Sequence, residues 1–104
     1  MTGRNKNSLL ITHYYYYNDN AKKFFQLLIA NYKSLSNFVR IELEQALKQT
    51  ADQAGIKQGE IMQLHRVLLT GQSSGADLIE ILELLGKDEV IKRLETGIRK
   101  IDNG

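Results

Sequence analysis

The chain has 104 residues, 42% of them hydrophobic, and a formal net charge of +2. That length supports one domain with one modest core and not two. With no cysteine there is neither a disulfide nor a thiolate metal site, no apolar run approaches the roughly 18 residues of a membrane span, and the polar start from Met1 to Ser8 lacks a signal-peptide core.

Met1 to Asn7 reads as a leader. Leu9, Leu10, Ile11 and the run Tyr14 to Tyr17 follow. They are strand-prone, but a lone strand has nothing here to pair with. Residues 19–104 are assigned to one helical domain, and residues 1–18 precede it as a leader. Asn18, Asp19 and Asn20 are good helix starters. A first helix is predicted from about Ala21 to Leu35, with Ala21, Phe24, Phe25, Leu28, Tyr32 and Leu35 on one face and a break at Ser34 to Asn37. A second is predicted from Phe38 to Ala54, with Val39, Leu43, Ala46, Leu47, Thr50 and Ala54 as its stripe and Gly55 as its stop.

The third helix is predicted over Gln58 to Leu69, with Ile61, Met62, His65, Leu68 and Leu69 inward and Gly71 after it. Ser73 and Ser74 can cap a fourth, and Ser74 with Asp77 approximates a capping box. Leu78, Ile81, Leu82 and Leu85 share a face of that helix, and Gly86 stops it. The fifth begins near Asp88 and presents Val90, Ile91, Leu94, Ile98 and Ile101. Gly97 inside it should weaken it by about 1 kcal/mol relative to alanine. The fold class is all-α, a compact bundle of about five short helices joined by links of two to four residues.

The charges are ordered along the chain. Up to Arg66 bases outnumber acids; beyond it Asp77, Glu80, Glu83, Asp88, Glu89, Glu95 and Asp102 tip the balance. Any phosphate contact is then expected in the first two thirds. No catalytic chemistry is written in the chain. His13 and His65 sit in no metal-ligand spacing. His65, Ser73 or Ser74, and Asp77 have the residue types of a hydrolase triad but no nucleophile elbow. His65 reads instead as a packing residue with one nitrogen satisfied. Gly71 to Gly75 lacks the lysine of a phosphate-binding loop. A helix-turn-helix DNA reader is disfavoured, because its recognition helix would carry Asp77, Glu80 and Glu83 towards phosphates. The tyrosine run has the residues of a base-stacking platform, though such rings more often pack against a neighbouring layer.

The stretch Gly55-Ile-Lys-Gln-Gly-Glu-Ile-Met-Gln-Leu-His-Arg-Val-Leu-Leu-Thr-Gly71 resembles the most recognisable segment of the C-terminal anticodon-binding domain of bacterial glutamyl-tRNA synthetases. That family reads glycine, any residue, lysine, any residue, glycine, then a helix ending in arginine and a leucine-threonine-glycine. Leu78-Ile-Glu-Ile-Leu-Glu-Leu-Leu-Gly-Lys-Asp-Glu-Val-Ile-Lys-Arg-Leu94 is similar to the family's next segment. Phe38, Glu44 and Lys48 fit the preceding helix, and Tyr17-Asn-Asp-Asn-Ala-Lys-Lys23 fits the entry to the domain. The resemblance covers nearly everything after Leu9. Two departures stand out. The family has a proline before the leucine-arginine pair, where this chain reads Leu64-His65-Arg66. It has another in the loop after Thr70-Gly71, where this chain reads Gln72-Ser-Ser-Gly-Ala-Asp77.

The resemblance implies a module of a class I aminoacyl-tRNA synthetase that meets the anticodon arm of glutamate tRNA. It makes residues 1–18 a leader and a severed connector to a preceding helical domain. It implies RNA contacts from Arg66, which matches the family arginine approaching an anticodon base, and from Gly75, Ala76 and Leu78 in and beside the loop. The ion pair within the bundle is the alternative for Arg66. For Thr70 a helix-end hydroxyl satisfying the backbone is the preferred reading. The two ATP-handling signatures of the family's catalytic portion do not occur in the chain. The expectation is a non-catalytic monomer, cytoplasmic, without cofactor, metal or membrane contact, whose partners are the tRNA and that catalytic portion. The alternative is a free-standing regulatory or interaction protein derived from the domain.

Overall fold

The computed structural model describes residues 19–72 and 75–103, so residues 1–18, with the tyrosine run and His13, and Ser73 and Ser74 lie outside the described residues. The described residues form five helices and no strand: α1 (Asp19–Lys33), α2 (Arg40–Ala54), α3 (Gln58–Thr70), α4 (Leu78–Leu85) and α5 (Lys87–Asn103). The all-α expectation is met. The predicted link lengths hold only for 55–57; the others are 34–39, 71–77 and Gly86 alone.

Helix α1 lies against α2 and α5. Its predicted face supplies the centre of the core, with Phe24, Phe25, Leu28 and Tyr32 completely buried. Each such side chain contributes roughly 1.5–3 kcal/mol by leaving water. The helix stops at Lys33 and not at Leu35. Lys87 Nζ donates to the carbonyl oxygens of Lys33 at 3.1 Å and Leu35 at 2.7 Å. A cation thus takes the place of the next helical N–H at a negative helix end.

Helix α2 starts at Arg40, later than predicted, because Phe38 turns away to pack edge-on against Tyr32, with ring centroids 5.3 Å apart. Val39 is extended and 45% exposed, so it does not belong to the core stripe. Leu43, Ala46, Leu47, Thr50 and Ala51 are buried. Thr50 keeps its hydroxyl satisfied in the core by donating to the Ala46 carbonyl at 2.6 Å and accepting from Asn31 Nδ2 at 2.7 Å.

Helix α3 buries a broader face than its predicted stripe. Ile61, His65 and Leu69 are inward as expected, but so are Leu64 and Val67, while Met62 and Leu68 are only partly covered. The reason is that α3 meets both α2 and α5. In α4, Leu78, Ile79 and Leu82 are buried, and Ile81 and Leu85 flank them. The cap of α4 is Asp77, which accepts from the Glu80 backbone N–H at 3.2 Å; the serines proposed to cap this helix lie outside the described residues.

Helix α5 buries Val90, Leu94 and Ile98. Its Gly97 has a packing role that propensity alone hides. A Cβ at this position would fall 2.5 Å from Leu68 Cδ2, so the missing methyl lets α3 and α5 approach closely.

Candidate nucleic-acid interface

The loop 71–77 begins where α3 runs out. Gly71 N–H donates to the Val67 carbonyl at 2.8 Å. Thr70 Oγ1 donates to the Arg66 carbonyl at 2.9 Å and accepts from the Gln72 N–H at 3.1 Å. Thr70 is thus a helix-end hydroxyl that satisfies the backbone. Arg66, one turn earlier on α3, reaches across the loop, and its Nη1 donates to the Ala76 carbonyl. The in-bundle ion pair weighed for Arg66 is not what the structure shows among the described residues. Its partner is a backbone oxygen of the loop.

Gly75 precedes Ala76 with φ of +135°, a backbone conformation that L side chains rarely adopt. The chain then enters α4 through Asp77. That carboxylate is held below its ordinary pKa, first by a hydrogen bond from Arg40 Nη2 at 2.8 Å and then by the Glu80 N–H. Arg40 also meets Glu44 at 3.4 Å, and its backbone N–H donates to Glu83 Oε2 at 2.9 Å. One exposed arginine at the start of α2 therefore ties that helix to both ends of α4.

Three of the four sequence-predicted residues come together directly: Arg66, Ala76 and the adjoining Gly75. Arg66 and Leu78 line one cleft, which they share with Glu44, Lys48, Met62 and Asp77. Leu78 is only 5% exposed, so it forms the wall of the cleft while Gly75 and Ala76 stand out from it. Arg66 is half-buried and has five N–H donors, of which Ala76 uses one. The cleft therefore offers a planar cation, loop backbone and an apolar wall. These are the groups that stack and hydrogen-bond unpaired bases.

Sequence reasoning did not single out Arg40. It lies 37 residues from Asp77 in the chain, and no periodicity links them. Acidic residues of α4 remain exposed at Glu80 and Glu83, consistent with setting aside a DNA-reading helix. The residue set considered for a hydrolase is not assembled. His65 is fully buried, neither imidazole nitrogen has a hydrogen-bond partner among the described residues, and Asp77 is engaged by Arg40. The expectation of one satisfied nitrogen on His65 is corrected by the same finding. Its ring sits edge-on to Phe25 at 5.6 Å and stacks near Tyr32 at 6.2 Å, and these neighbours offer no acceptor in reach. Burial holds its pKa down at about 3, with the Arg66 charge adding to the effect. Among the described residues no group of His, Asp or Glu could hold a metal ion, and no helix is long and apolar enough to cross a membrane.

A family model described as an anticodon binding domain matches residues 10–98. The chain is 40% identical over 78 residues to the glutamate–tRNA ligase of Syntrophobacter fumaroxidans, covering 75% of this chain and 17% of that protein. It is 32% identical over 80 residues to the glutamate–tRNA ligase of Geotalea uraniireducens, covering 77% of this chain and 17% of the relative. A glutamate–tRNA ligase 1 of Rickettsia canadensis is 32% identical over 74 residues, covering 71% of this chain and 16% of the relative. The chain thus spans about one sixth of the length of these relatives.

Proposed function

The chain belongs to the anticodon-binding domain family represented in glutamate–tRNA ligases, and from that premise we propose that it binds the anticodon loop of glutamate tRNA without itself catalysing a reaction. The observation that carries this reading is the bond from Arg66 to the Ala76 carbonyl. It holds a planar cation against an exposed loop backbone, beside an apolar wall formed by Leu78. Arg66 is the base-reading residue, and Gly75, Ala76 and Leu78 shape the surface on which a splayed base rests. The partners are the tRNA and the catalytic portion of a synthetase. The chain acts as a monomer in the cytoplasm.

The 104 residues are expected to bind weakly by themselves, because they hold the anticodon arm alone, without the avidity of contacts to a second arm of the tRNA. Binding is expected to fall as salt rises, because lysines and arginines displace condensed counterions. The test is a titration of the protein against a glutamate anticodon stem-loop and an anticodon-substituted one. Preference for the cognate loop supports the reading. Failure to bind either RNA at low salt overturns it.

A further inference from the structure

The charge order of the sequence places bases in the first two thirds and acids in the last third, but the fold rearranges that order. Asp77 is engaged by Arg40 at 2.8 Å, Glu89 by Arg93 at 2.8 Å and Glu95 by Lys33 at 3.8 Å. On α5, which sequence order makes acidic, Lys92 and Lys100 therefore stand out beside paired Glu89 and Glu95 and the exposed Asp88. A groove between α3 and α5 is lined by Leu68, Glu89, Lys92, Arg93, Thr96 and Lys100. Among the described residues its one acid, Glu89, is paired with Arg93 at 2.8 Å and also feels the nearby Lys92 charge. One carboxylate thus faces three cations, and the groove keeps a positive excess. Lys92 and Lys100 are exposed and enter no ion pair among the described residues.

Two contacts fix the shape of this groove. The bare backbone of Gly97 lets Leu68 come close and form a shallow apolar floor. Arg93 Nη1 donates to the Leu69 carbonyl at 2.6 Å, which pins the α5 side of the groove to the last turn of α3. The next residue is Thr70, and the loop carrying Gly75 and Ala76 follows. That contact sets the α5 side of the groove beside the end of α3, from which the loop carrying Gly75 and Ala76 departs.

We infer that this α3–α5 groove is a second RNA contact, in which Lys92 and Lys100 take backbone phosphates of the same anticodon arm that Arg66 reads. The inference rests on the anticodon reading. The two lysines are eight residues apart, on the order of 12 Å along the helix axis, so they reach different phosphates. Their contribution is to affinity and placement, since phosphate contacts carry no base information.

The experiment is a salt series of stem-loop titrations with wild type, with Lys92→Gln/Lys100→Gln, and with Lys23→Gln/Lys57→Gln as a control of equal charge loss on α1 and in the α2–α3 link. The groove pair is expected to flatten the slope of log K against log salt by about 1.4–1.8, two contacts at roughly 0.7–0.9 each. It should weaken cognate and substituted loops by the same factor, and the control pair should change the slope by less than about half as much. Equal flattening by both pairs means a general field of the domain and overturns the groove as a site. An unchanged slope in the groove pair, with wild type still preferring the cognate loop, overturns the groove alone. A wild-type protein that binds no stem-loop overturns the anticodon reading and the groove together.

Discussion

Arg66 on α3 donates a hydrogen bond to the backbone carbonyl of Ala76, ten residues on, and so closes the loop between α3 and α4. The same guanidinium that the anticodon reading assigns to a base is thus positioned before any RNA arrives. Two consequences of removing it can be separated. Loss of a base-reading arginine is expected to cost about 1–3 kcal/mol of binding and to shrink the preference for the cognate anticodon. Loss of a phosphate contact weakens all RNAs alike. In titrations of Arg66→Ala against cognate and substituted stem-loops, discrimination should therefore fall more than overall affinity. Equal discrimination by mutant and wild type means that Arg66 only holds the loop.

Leu82 is completely buried on α4, between the buried Leu78 and the partly buried Leu85. Truncation removes its transfer energy and leaves a void among helices that cannot all collapse. Leu82→Ala should destabilise by about 2–5 kcal/mol. Chemical denaturation showing a loss under about 1 kcal/mol means that this face is not core.

Gly97→Ala pits local propensity against packing. In an isolated helix the change is worth about 1 kcal/mol in favour of alanine. Here the new Cβ would meet Leu68 Cδ2 at 2.5 Å, so the leucine must shift, and overpacking of this kind costs about 1–3 kcal/mol. The variant is expected to be no more stable than wild type and up to about 2 kcal/mol less stable. A chemical melt showing a gain near 1 kcal/mol would mean that Leu68 moves aside freely.

The helices were legible because apolar residues recur at helical spacing and glycines punctuate them. Phe24, Phe25, Leu28 and Tyr32 of α1 follow one stripe and are all in the core. Leu64 and Val67 were not legible, since a residue at the margin of a stripe is buried only when helices press from two sides. Arg66 and the adjoining loop came from a motif whose residues are close in the chain. Arg40 and Lys87 did not come from any motif. Each reaches a partner dozens of residues away, Arg40 at Asp77 and Lys87 at Leu35, and only the packed helices bring those partners near. The break after α1 was legible at Ser34 to Asn37, where Ser34 Oγ donates to the Asn31 carbonyl at 2.8 Å; only the Lys87 contact at that end leaves no local signal.

His65 makes the stability of the domain depend on pH. Its imidazole is fully buried without a hydrogen-bond partner among the described residues, and its pKa is held at about 3 against an unfolded value of 6.5. The folded form therefore binds no proton at this site between those values, whereas the unfolded chain does. The stabilisation is fully present above pH 6.5 and is lost progressively as pH falls from 6.5 towards 3. Within that window each pH unit costs about 1.4 kcal/mol at most. Carboxylates begin to titrate below about pH 5, so the clean range is pH 6.5 to 5. Chemical melts of wild type should show stability declining across it. His65→Phe places an aromatic ring of similar size beside Phe25 and Tyr32 and removes the titrating group, so its stability should stay level over the same range. Parallel curves for the two proteins would mean that the imidazole is not held neutral in the core.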